Sequence, residues 1–190
     1  MSVIRNNSSD LRVQKTVRTV KQSLLTLIMK KPYKKIRVDE LTKEAMINRQ
    51  TFYSHFASIE NVLEAIGEDM LSQLTEGLEA LKPEDFPGGV LLFYHYVNED
   101  DPVRQKLFFD KDLESFAVKF AENYFSHEFF SSLCKREYYA DLMPSFIANA
   151  SLGIIRRWKD KPADKRVSLD ELADDTAKLL MTGLNGLKER

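Results

Sequence analysis

Two consecutive side chains, Arg49 and Gln50, carry the groups that read base edges in the major groove of DNA. A guanidinium can grip guanine O6 and N7, and a carboxamide can pair with adenine N6 and N7. Thr51, which follows them, can contact a thymine methyl group or a phosphate oxygen. These three residues together suit sequence-specific contact with double-stranded DNA.

Hydroxyl, imidazole and ammonium groups lie close by in the sequence, at Tyr53, His55 and Lys43. Such groups suit phosphate oxygens, whose contacts position a protein on a duplex without reading its sequence. The predicted DNA-binding residues are Arg37, Lys43, Asn48, Arg49, Gln50, Thr51, Tyr53, Ser54 and His55.

These side chains need a rigid support, and the surrounding pattern predicts two short helices joined by a tight turn. The apolar residues of the first helix recur at spacings of three and four and share one face: Val38, Leu41 and Ala45. Asn48 is a good N-cap for the second helix, on which Phe52 and Phe56 lie four residues apart and face inward. Two such helices, with the polar residues of the second facing outward, are typical of a helix-turn-helix.

The same stretch resembles the DNA-binding segment of TetR-type bacterial transcriptional regulators, and its T-F-Y-x-H-F core is intact. The matching positions are Val38, Glu40, Leu41, Ala45, Ile47, Asn48, Thr51, Phe52, Tyr53, His55, Phe56, Ser58, Glu60 and Val62. The resemblance is strong over residues 10–65 and only architectural beyond them. It implies a dimeric, DNA-binding protein whose two recognition helices read a palindromic operator.

Three positions depart from the family pattern. Arg37 stands where the family usually has a capping Thr or Ser, so the first helix loses a side-chain cap. Met46 replaces the usual Gly of the turn, where a left-handed backbone costs a non-glycine residue about 1 kcal/mol. Ile59 replaces a Lys that often touches a DNA phosphate in the family, which removes one expected backbone contact.

The charge of the chain is unevenly distributed. Residues 1–60 carry 12 Lys and Arg against 5 Asp and Glu, whereas residues 61–190 carry 16 against 24. A basic segment beside an acidic body suits binding to a polyanion, although such a split also arises by chance in a neutral protein. We expect some of the basic residues near the helix-turn-helix to contact DNA phosphates: Arg12, Lys15, Arg18, Lys21, Lys30, Lys31, Lys34, Lys35 and Arg37.

The chain gives little support for catalysis or for a metal site. Its three histidines, at positions 55, 95 and 127, share no i, i+4 spacing with one another or with Cys134. A single cysteine excludes an intrachain disulfide and favours a reducing compartment. We therefore predict no enzyme activity, no cofactor, no metal and no membrane span, and a cytoplasmic location.

The rest of the pattern predicts an all-α fold. It consists of an N-terminal three-helix DNA-binding segment, a connecting helix over 59–81 and a larger helical part for dimerisation and effector binding. Further helices are predicted over 10–30, 90–98, 102–110, 111–136, 144–161 and 168–187. We place the domain boundary within the connecting helix, giving a DNA-binding domain at 1–60 and a helical effector and dimerisation domain at 61–190.

The last two long helices have more apolar surface than one partner requires, which favours docking on a second copy as a four-helix bundle. Ordinary burial within one chain is the alternative explanation. The resemblance favours the dimer, because TetR-type regulators usually pair through these helices. The predicted interface residues are Ile147, Ala150, Ile154, Trp158, Leu172, Thr176, Leu179, Leu180, Gly183 and Leu184.

Aromatic residues are concentrated between positions 93 and 130 and can line a pocket between helices, although aromatic stripes more often form core. The candidate ligand-binding residues are Phe93, Tyr96, Phe109, Phe116, Phe120, Tyr124, Met143 and Trp158. The resemblance implies a small hydrophobic or aromatic effector that changes the spacing of the two recognition helices.

The sequence therefore predicts a dimeric transcriptional regulator, a repressor of palindromic operators that a small-molecule effector releases. The alternative is a helical protein-interaction module, either controlled by a protein partner or independent of DNA. Salt dependence separates the two hypotheses, because binding led by phosphate contacts weakens steeply as salt rises.

Overall fold

The structure is a computed structural model that describes residues 11–82, 85–127 and 142–188, with side chains described as far as Gly183. Every regular element within these ranges is helical, as predicted. The α-helices are α1 (Leu11–Lys30), α2 (Val38–Glu44), α3 (Arg49–Tyr53), α4 (Ile59–Glu76), α5 (Phe86–Asn98), α6 (Pro102–Phe109), α7 (Glu114–Phe125), α8 (Leu142–Lys159) and α9 (Leu169–Lys188). Short 3-10 turns cover Tyr33–Lys35, Leu78–Ala80, Lys111–Leu113 and Ala163–Lys165.

The chain divides into two compact units, one ending at Asp69 and the other beginning at Met70. The first unit, named the head below, contains α1 to α3 and most of α4. Its apolar residues come from all four helices and from the segments between them, and they are buried together: Val20, Leu24, Leu27, Ile28, Ile36, Leu41, Ala45, Phe52, Phe56, Ile59, Val62, Leu63 and Ile66. Lys21 ties α1 to α4, since its ammonium donates to the carbonyl of Ala65 at 3.0 Å and pairs with Asp69 at 2.7 Å.

The second unit, named the body below, is built around α5 and α7. Helix α5 packs on α9, α7 packs on α8, and α6 contacts both α5 and α7. The centre is aromatic: the Phe93 ring stacks on Tyr124 with centroids 5.3 Å apart and lies 5.1 Å from Phe125. Phe108 and Phe120 extend this packing, with centroids 5.0 Å apart.

Two buried tyrosines of this core direct their hydroxyls to specific acceptors. The Tyr94 hydroxyl lies 3.1 Å from the carbonyl of Ser151 on α8 and 3.2 Å from the Thr176 hydroxyl on α9. The Tyr124 hydroxyl donates to the carbonyl of Gly89 at 2.9 Å. Burial raises the pKa of both phenols, that of Tyr94 to about 12. The two side chains therefore fasten α5, α7, α8 and α9 to one another in their neutral forms.

Helices α4 and α5 have boundaries that differ from the predictions. Helix α5 begins at Phe86 rather than at residue 90, because the Asp85 carboxylate caps it by accepting from Gly88 N at 2.8 Å. Pro87 is tolerated in this first turn, where a helix needs no amide donor. A Cβ at Gly88 would lie 2.4 Å from an Asp85 carboxylate oxygen, so this glycine gives the cap its room. Helix α4 ends at Glu76, five residues earlier than predicted, and a 3-10 turn follows.

Helix α8 begins at Leu142, so Pro144 lies in its first turn and starts the helix rather than kinking it. The predicted long helix over 111–136 is described as far as His127, with α7 ending at Phe125. Phe129, Phe130 and Cys134 lie outside the described residues.

The buried Tyr94 gives a prediction for alkaline stability. Its folded pKa of about 12 lies above the value near 10 of an unfolded tyrosine, so its contribution is complete below pH 10 and is lost as the pH rises through 12. The free energy of unfolding should fall between pH 9 and pH 11 by about 1 kcal/mol less in Tyr94→Phe than in the parent protein. Urea denaturation at the two pH values measures this difference. Equal losses in the two proteins would mean that Tyr94 ionises freely in the folded state.

Candidate nucleic-acid interface

The helix that carries the predicted base-reading residues, α3, has only five residues, Arg49–Tyr53. Its N-terminus is fixed by Asn48, whose side-chain oxygen accepts from Thr51 N at 2.7 Å. The predicted N-cap is thereby confirmed, and the Asn48 carboxamide oxygen is used for capping. On the inner side, Phe52 is completely buried and its ring lies 6.0 Å from that of Phe56. Both phenylalanines belong to the core of the head, as predicted.

The turn between α2 and α3 contains the strained residue that the sequence predicts. Met46 has a φ of 54°, the left-handed conformation that favours glycine. Its side chain is 90% exposed, so no packing of its own offsets the strain. The turn keeps its shape through backbone hydrogen bonds on either side, from Met46 N to Lys43 O at 3.1 Å and from Ile47 N to Thr42 O at 3.0 Å.

Helix α2 begins without a side-chain cap from Arg37, as predicted. Glu40 compensates, because its carboxylate reaches back to accept from Arg37 N at 3.0 Å. The same carboxylate accepts from the Lys31 ammonium at 2.6 Å. These bonds, that of Lys31 above all, lower the pKa of Glu40 below its usual range. The start of α2 is thus held by an acidic side chain in its first turn, where the helix dipole also favours negative charge.

The outward face of α2 and α3 carries the remaining predicted contacts. Gln50, Lys43 and Tyr53 are exposed, and Tyr53 packs the edge of its ring against Phe52 with centroids 5.2 Å apart. Thr51 and His55 are half-buried. The exposed Ser54 hydroxyl donates to Thr51 O at 2.8 Å. The Arg49 guanidinium forms an ion pair with Asp39 on α2 while both side chains stay more than half exposed.

Three of the lysines expected near DNA phosphates are engaged in ion pairs within the head. Lys30 pairs with Glu44 at 3.0 Å and Lys31 with Glu40, while the ammonium of the half-buried Lys21 pairs with Asp69. The Lys21 ammonium is occupied by two acceptors and its side chain is only 16% exposed, so it is the least suited of the three to a phosphate contact. Lys15, Arg18 and Lys35 are exposed, and their contact with DNA phosphates stays a prediction.

A family model described as bacterial regulatory proteins, tetR family, matches residues 24–66, which span the end of α1, the helix-turn-helix and the start of α4. The match contains the outward-facing residues of α2 and α3. Residues 24–66 therefore form a TetR-type DNA-binding segment, as the resemblance implies. The chain is a DNA-binding transcriptional regulator, since the matched family is one of regulatory proteins and not of enzymes.

Relatives over the full length agree with this assignment. A curated protein from Lactococcus lactis subsp. lactis (strain IL1403), named HTH-type dhaKLM operon transcriptional activator DhaS, is 28% identical over 171 residues. The match covers 87% of this chain and 89% of that protein. A TetR transcriptional regulator from Streptococcus agalactiae 2603V has a similar fold, with a TM-score of 0.69, 17% identity and coverage of 91% and 97% of the two chains.

A solved structure titled dihydroxyacetone kinase operon activator DhaS also shares this fold. Its TM-score is 0.52 at 22% identity, over 90% of this chain and 96% of the other. At these identities the two structures establish the fold alone, and they agree with the all-α prediction. The family model confirms the predicted resemblance over residues 24–66.

Most of the candidate ligand-binding residues of the body are packed against other side chains. Phe93 and Tyr124 are completely buried and Phe120 is 3% exposed. Phe116 is half-buried beside Phe108 and Phe120, and Phe109 holds the Lys159 ammonium 4.1 Å from its ring centre. Met143 is half-buried near the start of α8.

Tyr96, another candidate ligand-binding residue, lines an open groove of the body. The Tyr96 ring stacks on Phe120 at 5.9 Å, and the Arg104 guanidinium lies over it at 4.1 Å. The Tyr96 hydroxyl donates to the carbonyl of Met70 at 3.3 Å. The groove, of about 420 Å³, is lined by Leu92, His95, Tyr96, Asn98, Glu99 and Leu169. Sequence reasoning missed His95, Asn98 and Glu99, since a groove lined by polar residues leaves no periodic signal.

The predicted interface residues divide between the core of the body and its surface. Ile147, Thr176 and Leu180 are each 2% exposed because α8 and α9 pack them inward, so they are not available to a partner. Leu179 is 67% exposed and Gly183 is also exposed. Ala150, Ile154 and Leu172 are half-buried, and the side chain of Leu184 lies outside the described residues.

Trp158, a candidate both for ligand binding and for the dimer interface, lies half-buried near the end of α8. Its indole N–H donates to the carbonyl of Val167 at 2.9 Å, and the Arg166 guanidinium lies 5.2 Å from the ring centre. The Trp158 side chain thus holds the connection between α8 and α9.

Within the described ranges, no group of three or more His, Cys, Asp and Glu side chains is placed to hold a metal ion. None of the helices in the same ranges combines the length and the apolar character that crossing a membrane requires.

The left-handed residue of the turn gives a prediction for the stability of the head. Met46→Gly should raise the free energy of unfolding by about 1 kcal/mol, because glycine adopts a positive φ without a steric cost. Met46→Ala is the matched control, since it removes the exposed side chain but keeps the strain. Thermal and urea unfolding should therefore place Met46→Ala with the parent protein. A glycine variant no more stable than the alanine variant would show that the turn is not strained.

Proposed function

We propose that this regulator acts as a homodimer whose two heads bind the halves of a palindromic operator. The observation that carries the proposal is α3 itself: a five-residue helix, fixed by its cap and by Phe52, that presents Arg49, Gln50 and Tyr53 outward. So short a helix contacts only a few base pairs. Two copies about one helical turn apart supply the area and the symmetry that tight operator binding requires.

The exposed apolar surface of α8 and α9 supports the homodimer. Leu142, Phe146 and Leu179 are between 51% and 67% exposed, which is unusual for side chains of this size. Gly153 on α8 and Gly183 on α9 are exposed too, and a Cβ built on either would meet no atom within 4 Å. We infer that α8 and α9 of one protomer pack on the same helices of its partner, through Leu179 and the half-buried Ala150, Ile154 and Leu172.

We propose that the regulator is a repressor, which occupies its operator until a small-molecule effector releases it. The groove beside Tyr96 is the place we assign to that effector. Because His95, Asn98 and Glu99 supply an imidazole, an amide and a carboxylate, the groove suits a small polar molecule better than the hydrophobic or aromatic one first expected. Phe93 and Tyr124, two of the candidate residues for an aromatic effector, are completely buried.

Activation is a second candidate, favoured by the printed name of the Lactococcus lactis relative, a dhaKLM operon transcriptional activator. The same DNA contacts serve either direction of control, because the outcome depends on where the operator lies relative to the promoter. A reporter gene fused to the bound promoter separates the two. Loss of the regulator should raise expression under the repressor proposal, whereas a fall in expression would replace it with activation.

Two further assignments remain proposals. The functional division places DNA binding in residues 1–60 and dimerisation with effector binding in residues 61–190. A cytoplasmic location follows from the proposed action on DNA.

DNA binding should depend on Tyr53, at the end of α3, and on His55, just after it. Tyr53→Ala with His55→Ala should abolish operator binding in a fluorescence anisotropy titration, because hydroxyl and imidazole groups suit phosphate oxygens. Binding by the parent protein should weaken steeply with salt. Thr26→Ala, an exposed substitution on α1, is the control that should bind as the parent does. Full binding by the double variant would remove α3 from the interface.

The dimer should depend on Leu179. Leu179→Glu places a charge in the proposed apolar interface and should yield a monomer by light scattering, with at least tenfold weaker binding to a full palindrome. Val167→Glu is the matched control, since Val167 is 41% exposed but lies in the connection between α8 and α9. A Leu179→Glu protein that remains dimeric would place the interface elsewhere.

A further inference from the structure

An ion pair crosses the helix-turn-helix from α2 to α3. The Arg49 guanidinium, on the first residue of α3, contacts the Asp39 carboxylate in the first turn of α2. Both side chains remain exposed, Arg49 by 64% and Asp39 by 57%. The pair therefore lies on the outward face of α2 and α3, within the residues that the family model matches, and its guanidinium keeps donors for a second partner.

The neighbouring acidic residues of α2 have other partners. Glu40 caps α2 and binds Lys31, and Glu44 binds Lys30. Among these three carboxylates, it is Asp39 that is placed against a base-reading residue. The contact joins residues ten positions apart, so it depends on how the turn sets α3 relative to α2 and is absent from the sequence pattern.

An arginine reads guanine only when the plane of its guanidinium lines up with O6 and N7. A free arginine side chain samples many rotamers, and the dense negative charge of the phosphates draws it toward the DNA backbone. A carboxylate bound to one edge of the guanidinium limits both effects. It fixes the orientation of the planar group, and its own charge opposes a nearby phosphate. The remaining donors of the fork are left for the base.

We propose that Asp39 is a positioning residue that sets the Arg49 guanidinium for guanine and so determines specificity at one base pair of each half-site. The proposal rests on the proposed function, since it requires that α3 enters the major groove. Asp39 itself need not touch DNA. Its removal has two opposing consequences, weaker discrimination at one position and stronger binding to any sequence because a negative charge is lost.

The experiment begins with selection of an operator from random DNA by the parent protein. Binding of Asp39→Asn to that operator and to variants with each base pair replaced is then compared with binding of Glu44→Gln. The second substitution is a matched control, because it removes one charge and one exposed ion pair from the same helix without touching Arg49. Arg49→Ala, alone and combined with Asp39→Asn, completes the set.

Asp39→Asn should lower the discrimination at a single G·C pair about tenfold. Arg49→Ala should lose its base preference at the same pair. Glu44→Gln should keep the parent's discrimination. Both Asp39→Asn and Glu44→Gln should bind non-specific DNA more tightly than the parent, because each removes a negative charge. In the Arg49→Ala background, Asp39→Asn should change no base preference. Circular dichroism should give the same melting temperature for Asp39→Asn and Glu44→Gln, because exposed ion pairs contribute little to stability.

The proposal is overturned if Asp39→Asn keeps the parent's preference at every position. It is also overturned if Asp39→Asn changes preference equally with and without Arg49, since Asp39 would then contact DNA directly. A parent protein that selects no sequence would contradict the proposed function first. If the parent selects an operator and Asp39→Asn reads it with the same base preferences, only the proposal on Asp39 is overturned.

Discussion

The recognition surface of this regulator depends on the burial of one side chain, Phe52. A five-residue helix has no stability of its own, because isolated helices shorter than about 12 to 15 residues are marginal in water. Helix α3 exists because Phe52 is fully buried and Asn48 caps the first turn. Removing a buried phenylalanine ring typically costs about 3 to 5 kcal/mol. The outward residues of α3 are thus only as well placed as the core beneath them.

The body achieves rigidity by different means. Its centre is a packed set of aromatic rings, and the hydroxyls of Tyr94 and Tyr124 connect four helices through buried hydrogen bonds. Satisfied polar groups in a core fix one arrangement of the helices, because any other leaves them unpaired. The body also presents surfaces that are open to a ligand or a partner. The groove beside Tyr96 and the apolar face that includes Leu179 are two such surfaces.

How much the sequence predicts depends on how local the cause is. The Asn48 cap, the inward Phe52 and the left-handed Met46 all follow from residues within one or two turns of the chain, and the structure confirms them. The pairing of Arg49 with Asp39 depends on the angle between two helices, which no local pattern encodes. The same holds in the body, where apolar stripes mark Ile147 and Leu179 alike. Only the packing of α8 and α9 shows that the first is buried and the second exposed.

The central claim is that α3 is the DNA-binding element and is held by the core of the head. Amide hydrogen exchange, measured with and without operator DNA, tests this claim most directly. Bound DNA should slow exchange in the segment from Lys43 to His55, because contacts to the outward face suppress opening of this short helix. A segment whose exchange is unchanged by tightly bound DNA, while other parts of the head become protected, would contradict the account.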